Sequence, residues 1–166
     1  MADLTQARLR EVLNYDPETG AFCWRKRLSN RALAGKPTGL SKHNGYSVIR
    51  VDRRLYFAHR LAFLYIHGRW PTRDIDHING VRDDNRLCNL REATRSENLR
   101  NARIRSNNTS GFKGVSWNER AKQWSAKIRT NNQTDEYLGF FATREEAHDA
   151  YAAAALKHFG EFARIR

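Results

Sequence analysis

Residues 76–91 have the sequence Asp-His-Ile-Asn-Gly-Val-Arg-Asp-Asp-Asn-Arg-Leu-Cys-Asn-Leu-Arg, and they decide which fold we expect. An Asp-His pair, a polar loop containing glycine and then Asn-Leu-Arg predict two short strands joined by a long connection. Residues 94–97 have the capping-box pattern, an N-cap oxygen followed three residues later by a glutamate, which predicts a helix that carries Asn98. We therefore expect a β-β-α unit over about residues 74–102.

Four side chains of this unit suit the hydrolysis of a phosphodiester, which needs a nucleophile and neutralisation of growing negative charge. The carboxylate of Asp76 and the amide oxygen of Asn98 are hard ligands suited to one divalent ion, Mg²⁺ first and Mn²⁺ second. His77 points the opposite way from Asp76 along the strand, and as a neutral imidazole it could take a proton from the attacking water. Asn89 could bond the other ring nitrogen and fix its tautomer. The alternative is that Asp76, His77 and Asn89 only hydrogen bond a tight loop.

These residues, together with their spacing, resemble the HNH (ββα-metal) endonuclease family, especially its phage and intron-encoded homing enzymes. The resemblance implies His77 as general base, Asn89 as its orienting partner, and Asp76 with Asn98 on the metal ion. Asn98 stands at the third position of the motif, where histidine gives the family its last letter, and this argues against a histidine-rich zinc site. Segments upstream of the motif also resemble those of phage members: residues 15–20, 45–46 and 58–62. His59 lies in the last of them, and we expect it to be structural or phosphate-contacting.

The C-terminal part has the pattern strand, strand, strand, helix, over residues 112–117, 124–129, 137–141 and from 143 to Gly160. In the middle strand the apolar and basic residues alternate, with Lys127 and Arg129 facing away from the apolar side. A period of two with one apolar face predicts a sheet that is covered on one side only. Residues 143–146 form a second capping box.

Residues 110–166 resemble the AP2 domain of plant transcription factors, a module also fused to phage HNH enzymes. The matching segments are residues 111–115, 124–129, 137–141 and 145–151. In that family the three-stranded sheet enters the major groove, which implies double-stranded DNA as partner. The resemblance assigns the DNA contacts to Lys113, Ser116, Lys127, Arg129 and Tyr137, with Trp117 and Lys122 nearby. The alternative is a basic face that only meets solvent.

Three departures from the plant pattern bear on which DNA sequence is preferred. Ser116 and Asp135 stand where plant members usually have arginine, and Lys127 replaces a usual glutamate. We therefore expect a preference that differs from the plant target.

Together these patterns predict an α+β protein in three parts. Residues 1–102 form an HNH domain, a small ββα-metal core with an N-terminal mixed α/β extension. Residues 103–110 form a basic, polar linker whose Arg103 and Arg105 contact DNA. Residues 111–166 form the separate AP2-like domain, a three-stranded antiparallel sheet packed on one helix. The expected activity is metal-dependent DNA cleavage, as a nick or a double-strand break; the alternative is a DNA-binding regulator with an inactive core.

The overall charge agrees with a polyanion as partner. The chain of 166 residues has 30 Lys plus Arg against 18 Asp plus Glu, a net charge of +12 and a pI near 10.3. Residues 1–105 carry 21 basic against 11 acidic side chains, and residues 106–166 carry 9 against 7. No apolar run reaches the roughly 18 residues of a membrane span, and the first residues lack the charged and apolar regions typical of a signal peptide. We expect a cytoplasmic, DNA-associated monomer or homodimer with two free cysteines and no small-molecule cofactor.

Overall fold

The computed structural model describes residues 4–30, 32–104, 106–130 and 134–165. The chain divides into two compact units, Met1–Arg95 and Ser96–Arg166, and each is described by itself. Both combine helices with small antiparallel β-structure, so the predicted α+β class is confirmed. None of the helices in the described part of the chain has the length and apolarity that crossing a bilayer requires.

The first unit begins with helix α1 (Gln6–Val12), whose N-terminus is capped by the Thr5 side chain accepting the Arg8 N–H. Two three-stranded antiparallel sheets follow. The first contains β1 (Leu13–Tyr15), β2 (Phe22–Trp24) and β3 (Pro37–Thr38), and the second contains β4 (Ser41–His43), β5 (Tyr46–Val51) and β6 (Arg54–Phe57). The predicted hairpin around residues 52–54 is confirmed, with Asp52 and Arg53 supplying the positive φ angles of a tight turn.

Helix α2 (Ala58–His67) packs on β5 and β6 of the second sheet and ends at Gly68, which has a φ of 74°. The core of the unit is built from α1, α2 and the inward faces of the strands, with Leu9, Leu13, Ile49 and Leu61 among its fully buried side chains. The predicted helix over residues 59–67 is therefore confirmed, and it begins one residue earlier.

The strands predicted to carry the chemistry are β7 (Asp74–His77) and β8 (Leu90–Ala93), which pair antiparallel. The connection between them ends in a 3₁₀ turn, Leu87–Asn89, so Asn89 lies just before β8. Helix α3 (Arg95–Asn101) follows β8 directly and carries Asn98, and all of it beyond Arg95 belongs to the second unit.

The second unit contains the predicted sheet, ordered β11-β10-β9, and one long helix. Its strands are β9 (Val115–Asn118), β10 (Gln123–Arg129) and β11 (Asp135–Phe141), and its helix is α4 (Arg144–Phe159). The capping box at Thr143 and Glu146 is present in both directions. A small core of Val115, Ala126 and Ala147 joins sheet and helix. Small alanines permit this close approach, as the sequence predicts.

The first strand of this sheet begins three residues later than predicted. Residues 108–112 form a hydrogen-bonded turn instead, in which Asn108 Oδ1 accepts the Gly111 N–H at 2.7 Å. Gly114 follows with a φ of 67°, and a Cβ there would lie 2.4 Å from the Tyr151 ring and from the Lys127 carbonyl. The approach of that ring requires glycine at this position, which prevents regular strand geometry before Val115.

Candidate functional site

Asp76 and His77 are adjacent on β7, and both are buried, with 3% and 4% of their surface exposed. The antiparallel register places Arg91 opposite Asp76. Its Nε and Nη2 atoms each lie 3.0 Å from Asp76 Oδ2. The carboxylate and the guanidinium thus form an almost fully buried ion pair, in which each charge offsets the desolvation of the other.

The ring of His77 is oriented by an amide from the connecting loop. Asn85 is itself buried, and its Oδ1 lies 3.2 Å from His77 Nε2. An amide oxygen only accepts, so this contact assigns the proton to Nε2 and makes Nδ1 the basic nitrogen. Burial lowers the pKa of His77 below its ordinary value, against the opposing effect of the Asn85 contact. The imidazole is therefore neutral at pH 7, which is the form a general base needs.

Residues of β1 and of the turn that follows it hold Asn85 in place. The buried hydroxyl of Tyr15 donates to the Asn85 carbonyl at 2.8 Å, and the Leu87 N–H donates to the Pro17 carbonyl at 2.9 Å. Gly20, with a φ of 73°, lies so close that a Cβ would be 2.5 Å from the Asn85 carbonyl carbon. The turn after β1 thus positions the amide that orients His77.

Asn89 has a different set of partners from the one that the sequence predicts. Its Oδ1 accepts the Asn79 N–H at 2.9 Å, and its Nδ2 donates to the Asp84 carbonyl at 2.7 Å. The Asn79 amide also donates to the Asp84 carboxylate, whose pKa the paired Arg86 lowers to about 2. Asn89 closes the loop between His77 and Asn85, and Asn85 has the position at the ring that we expected of Asn89.

Two aromatic rings, those of His59 and Tyr46, contact His77 in a cluster that the sequence did not reveal. The centroid of the His59 ring lies 5.2 Å from that of His77, and Tyr46 lies 5.8 Å from His77 and 5.2 Å from His59. Phe57 stacks on His59, and the Arg82 guanidinium covers Tyr46. The resemblance of residues 45–46 and 58–62 to phage enzymes was the signal that marked these positions, since spacing alone does not bring them to residue 77.

The donor chemistry of Asp76 and Asn98 fits a hard divalent ion. One carboxylate and one amide oxygen leave the other coordination positions to water and phosphate, the arrangement that Mg²⁺ favours. Within residues 4–30, 32–104, 106–130 and 134–165, no three His, Cys, Asp or Glu side chains are grouped as a metal site would require. Asp76 belongs to the first unit and Asn98 to the second, so their use as ligands of one ion stays a prediction.

The sheet of the second unit presents the predicted basic residues on one face. The register places Lys127 beside Tyr137 and Arg129 beside Asp135, and it places Ser125 between Ser116 and Phe140. A bulge between Ala126 and Lys127 brings Tyr137 and Phe140 to the same face, where their rings meet edge to face at 5.4 Å. Tyr137 is 56% exposed and Phe140 44%. The sequence did not single out Phe140.

Asp135 lies among the cations of this face. It accepts from Arg129 Nε at 2.7 Å and lies 3.8 Å from Lys127 Nζ. Arg129 lowers the pKa of Asp135, so this carboxylate is fully ionised at neutral pH. It reduces the positive charge that Lys127 and Arg129 would otherwise present.

The other predicted contacts lie off this face. Trp117 is in register with Trp124, on the opposite side from Ser116, and their rings meet at 5.4 Å. Lys122 is ion-paired with Glu119 at the turn before β10. The Lys113 amine donates to the Arg100 carbonyl at 2.8 Å, and burial lowers its pKa to about 8. Arg103 is exposed, and Arg105 lies outside the described residues.

Comparison with known proteins gives two groups of matches. The family model described as HNH endonuclease matches residues 56–100. Protein 3.8 of Escherichia phage T7 is 32% identical over 87 residues, which are 47% of this chain and 72% of that protein.

The second group of matches consists of plant proteins. The AP2-like ethylene-responsive transcription factor CRL5 of Oryza sativa subsp. japonica is 35% identical over 91 residues, 51% of this chain. The AP2-like ethylene-responsive transcription factor AIL7 of Arabidopsis thaliana is 43% identical over 56 residues, 33% of this chain. These matches span only 14% and 11% of the plant proteins. No solved structure matches.

Proposed function

We propose that this chain, which belongs to the HNH endonuclease family and carries an AP2-like DNA-binding region, is a metal-dependent DNA endonuclease of the homing type. The observation that carries the proposal is the setting of His77, a buried, neutral imidazole whose Nε2 faces Asn85. We retain the boundaries expected from the sequence, residues 1–102 for the nuclease, 103–110 for the linker and 111–166 for the DNA-binding domain.

In the proposed reaction, His77 takes a proton from water at Nδ1 as that water attacks the scissile phosphorus. Asn85 keeps the Nε2 proton in place and stabilises the imidazolium that forms, because an amide oxygen accepts a hydrogen bond in both protonation states. Bond cleavage on the 3′-oxygen side leaves 5′-phosphate and 3′-hydroxyl ends. Asn89 maintains the loop that carries Asn85.

A divalent ion held by Asp76 and Asn98, Mg²⁺ first, would neutralise charge on the phosphate and support the departing oxygen. Before any ion binds, Arg91 compensates the charge of Asp76 from across the strand pair. The positive charge of the same guanidinium would also attract a phosphate oxygen of substrate bound beside Asp76.

The sheet of the second unit would hold the DNA. Lys127, Arg129 and Tyr137 share its exposed face, with Ser116 at the far side. Lysine and arginine contacts to phosphates position a protein, and pairs to guanine discriminate between bases. Arg103, Arg105, Trp117, Lys113 and Lys122 remain proposed contacts of lower rank, since the structure gives the last three other partners within the unit.

The test is cleavage of a supercoiled plasmid with Mg²⁺ or Mn²⁺ and with EDTA. We expect metal-dependent nicked circles, and linear product if two copies act together on one site. End-labelling should show 5′-phosphates. If DNA is bound tightly in Mg²⁺ and stays intact on long incubation, the nuclease assignment is wrong.

A second candidate is a DNA-binding regulator with an inactive core. The ion pair between Asp76 and Arg91 favours it, because the guanidinium occupies the carboxylate oxygen that a metal ion would use. The plasmid experiment separates the two functions directly, since a regulator binds DNA and leaves it uncut.

A further inference from the structure

We propose that His59 contacts the substrate, as a neutral imidazole whose Nε2–H donates a hydrogen bond to a non-bridging oxygen of the scissile phosphate. The inference rests on the proposed nuclease function and adds a second histidine to that site. No proton leaves His59 in this role; its contribution is a fixed hydrogen bond to developing negative charge.

The position of His59 follows from the packing around it. It is the second residue of α2, and its ring meets the ring of His77 at an interplanar angle of 82°. Phe57 stacks on it, with ring centroids 5.4 Å apart, and Tyr46 approaches from another direction at 5.2 Å. Rings on several sides restrict the rotation of His59, so its nitrogens have fixed directions.

The two ring nitrogens have different surroundings. Nδ1 is buried and is one of two such atoms without a hydrogen-bond partner among the described side chains. Nε2 makes no hydrogen bond with the described residues and is not among those buried atoms, so it reaches solvent. A proton on Nδ1 would be a buried N–H without an acceptor, which folded proteins avoid. The proton therefore lies on Nε2, the nitrogen that a ligand can reach.

The charge state of His59 suits a donor that stays neutral. Burial first, and then the neighbouring His77 and Arg60, lower its pKa to about 3. Its place at the N-terminus of α2 also disfavours a cation. A neutral imidazole at a helix N-terminus is an effective donor toward an oxygen that gains negative charge, because its N–H needs no reorganisation.

The distance between the two histidines fits one phosphate group. The attacking water must lie within hydrogen-bond reach of His77 and about 3–3.5 Å from phosphorus. The non-bridging oxygens of that phosphate then fall close to a second imidazole whose centroid is 5.2 Å from the first. His77 and His59 would act on the same phosphate, one on the nucleophile and the other on the developing charge.

The experiment compares His59→Gln with His59→Phe in single-turnover cleavage of a duplex whose cut site has been mapped with the wild-type protein. Glutamine keeps a donor near the position of Nε2, whereas phenylalanine keeps the aromatic packing and removes the donor. We expect His59→Phe to be slower by about 10²-fold, as for the loss of one transition-state donor, and His59→Gln to retain most of the rate. Thermal unfolding of both variants controls for stability.

A second readout does not depend on cleavage. Long-range ¹H–¹⁵N correlation spectra of the full chain should show the His59 proton on Nε2, with no titration between pH 5 and 8. A proton on Nδ1 contradicts the inference, and so does a His59→Phe rate within threefold of wild type. Equal losses in two folded variants also contradict it, because packing and not the donor would then matter. A wild-type protein that cuts no DNA overturns the nuclease itself, which is a separate failure.

Discussion

Oδ1 of Asn85 lies 3.2 Å from Nε2 of His77, although the two residues are eight positions apart in a polar loop. The distance depends on contacts from elsewhere in the first unit, because Tyr15 binds the backbone of Asn85 and Asn89 closes the loop behind it. His77, the proposed general base, is thus oriented by residues of the segment before the motif as well as by residues of the motif itself.

Alanine variants of Asn85 and Asn89 should differ in their effects on cleavage and on stability. Asn85→Ala removes the acceptor at His77 Nε2, and we expect cleavage to slow by about 10–100-fold, as for other residues that orient a functional histidine. Asn89→Ala opens the loop between Asn79 and Asp84, so we expect a clear loss of thermal stability as well. Single-turnover rates and melting temperatures distinguish the two effects. If Asn85→Ala cleaves at the wild-type rate while Asn89→Ala does not, Asn89 is the orienting residue.

A variant of Gly20 tests whether its close approach to the Asn85 backbone matters, and Gly35 is the matched control. Their φ angles are 73° and 75°, so alanine costs the same backbone strain at both. A Cβ at Gly20 would lie 2.5 Å from the backbone of Asn85 and Arg86, whereas nothing lies within 4 Å at Gly35. Gly20→Ala should therefore lose about 1–3 kcal/mol more unfolding free energy than Gly35→Ala. Urea unfolding measures it, and cleavage should fall only for Gly20→Ala. Equal losses would mean that the close approach has no effect.

Asp135 should limit how tightly the second unit binds DNA. It is paired with Arg129 and lies near Lys127 on the exposed face of the sheet. Asp135→Asn removes a negative charge there and should tighten binding, while Lys127→Ala should weaken it and reduce the salt slope by about one. Fluorescence anisotropy at several salt concentrations measures both, and Lys157→Ala in the last turn of α4 is the control. Unchanged affinity in both sheet variants would place the DNA contact elsewhere.

The buried His59 should make the protein sensitive to acid. Its pKa in the folded state is about 3, and in the unfolded chain about 6.5. Between these values the unfolded chain binds a proton that the folded chain does not, so stability is full above about pH 6.5 and falls as the pH drops toward 3. The free energy of unfolding of wild type should fall more steeply than that of His59→Phe. Urea unfolding between pH 7 and 4 measures this, and parallel curves would show that His59 titrates normally.

Local patterns predicted the elements of the fold well. The hairpin of β5 and β6, helix α2 with its terminal glycine and the capping box of α4 each depend on neighbouring residues, and each was found. The alternation in β10 likewise predicted which side chains share the exposed face. The late start of β9 was not predicted, because it results from the approach of Tyr151 to Gly114, which lies 37 positions away in the chain.

The candidate site was predicted less completely, for the same reason. Spacing identified Asp76 and His77 as neighbours on a strand, which the structure bears out. Which of two loop asparagines turns toward the ring depends on the contact from Tyr15, 70 residues earlier. The approach of His59 and the pairing of Asp76 with Arg91 also arise from tertiary packing and strand register. Composition and spacing contain no information on either.

The central claim is that His77 is the general base of a DNA-cleaving site, and the most direct measurement is cleavage by His77→Ala at matched DNA occupancy. Wild type and variant are brought to equal saturation of a labelled duplex in Mg²⁺, with His43→Ala as a control at an exposed histidine. We expect wild type and His43→Ala to cut, and His77→Ala to lose at least about 10²-fold in single-turnover rate with unchanged affinity. Cleavage by His77→Ala at the wild-type rate would contradict the account.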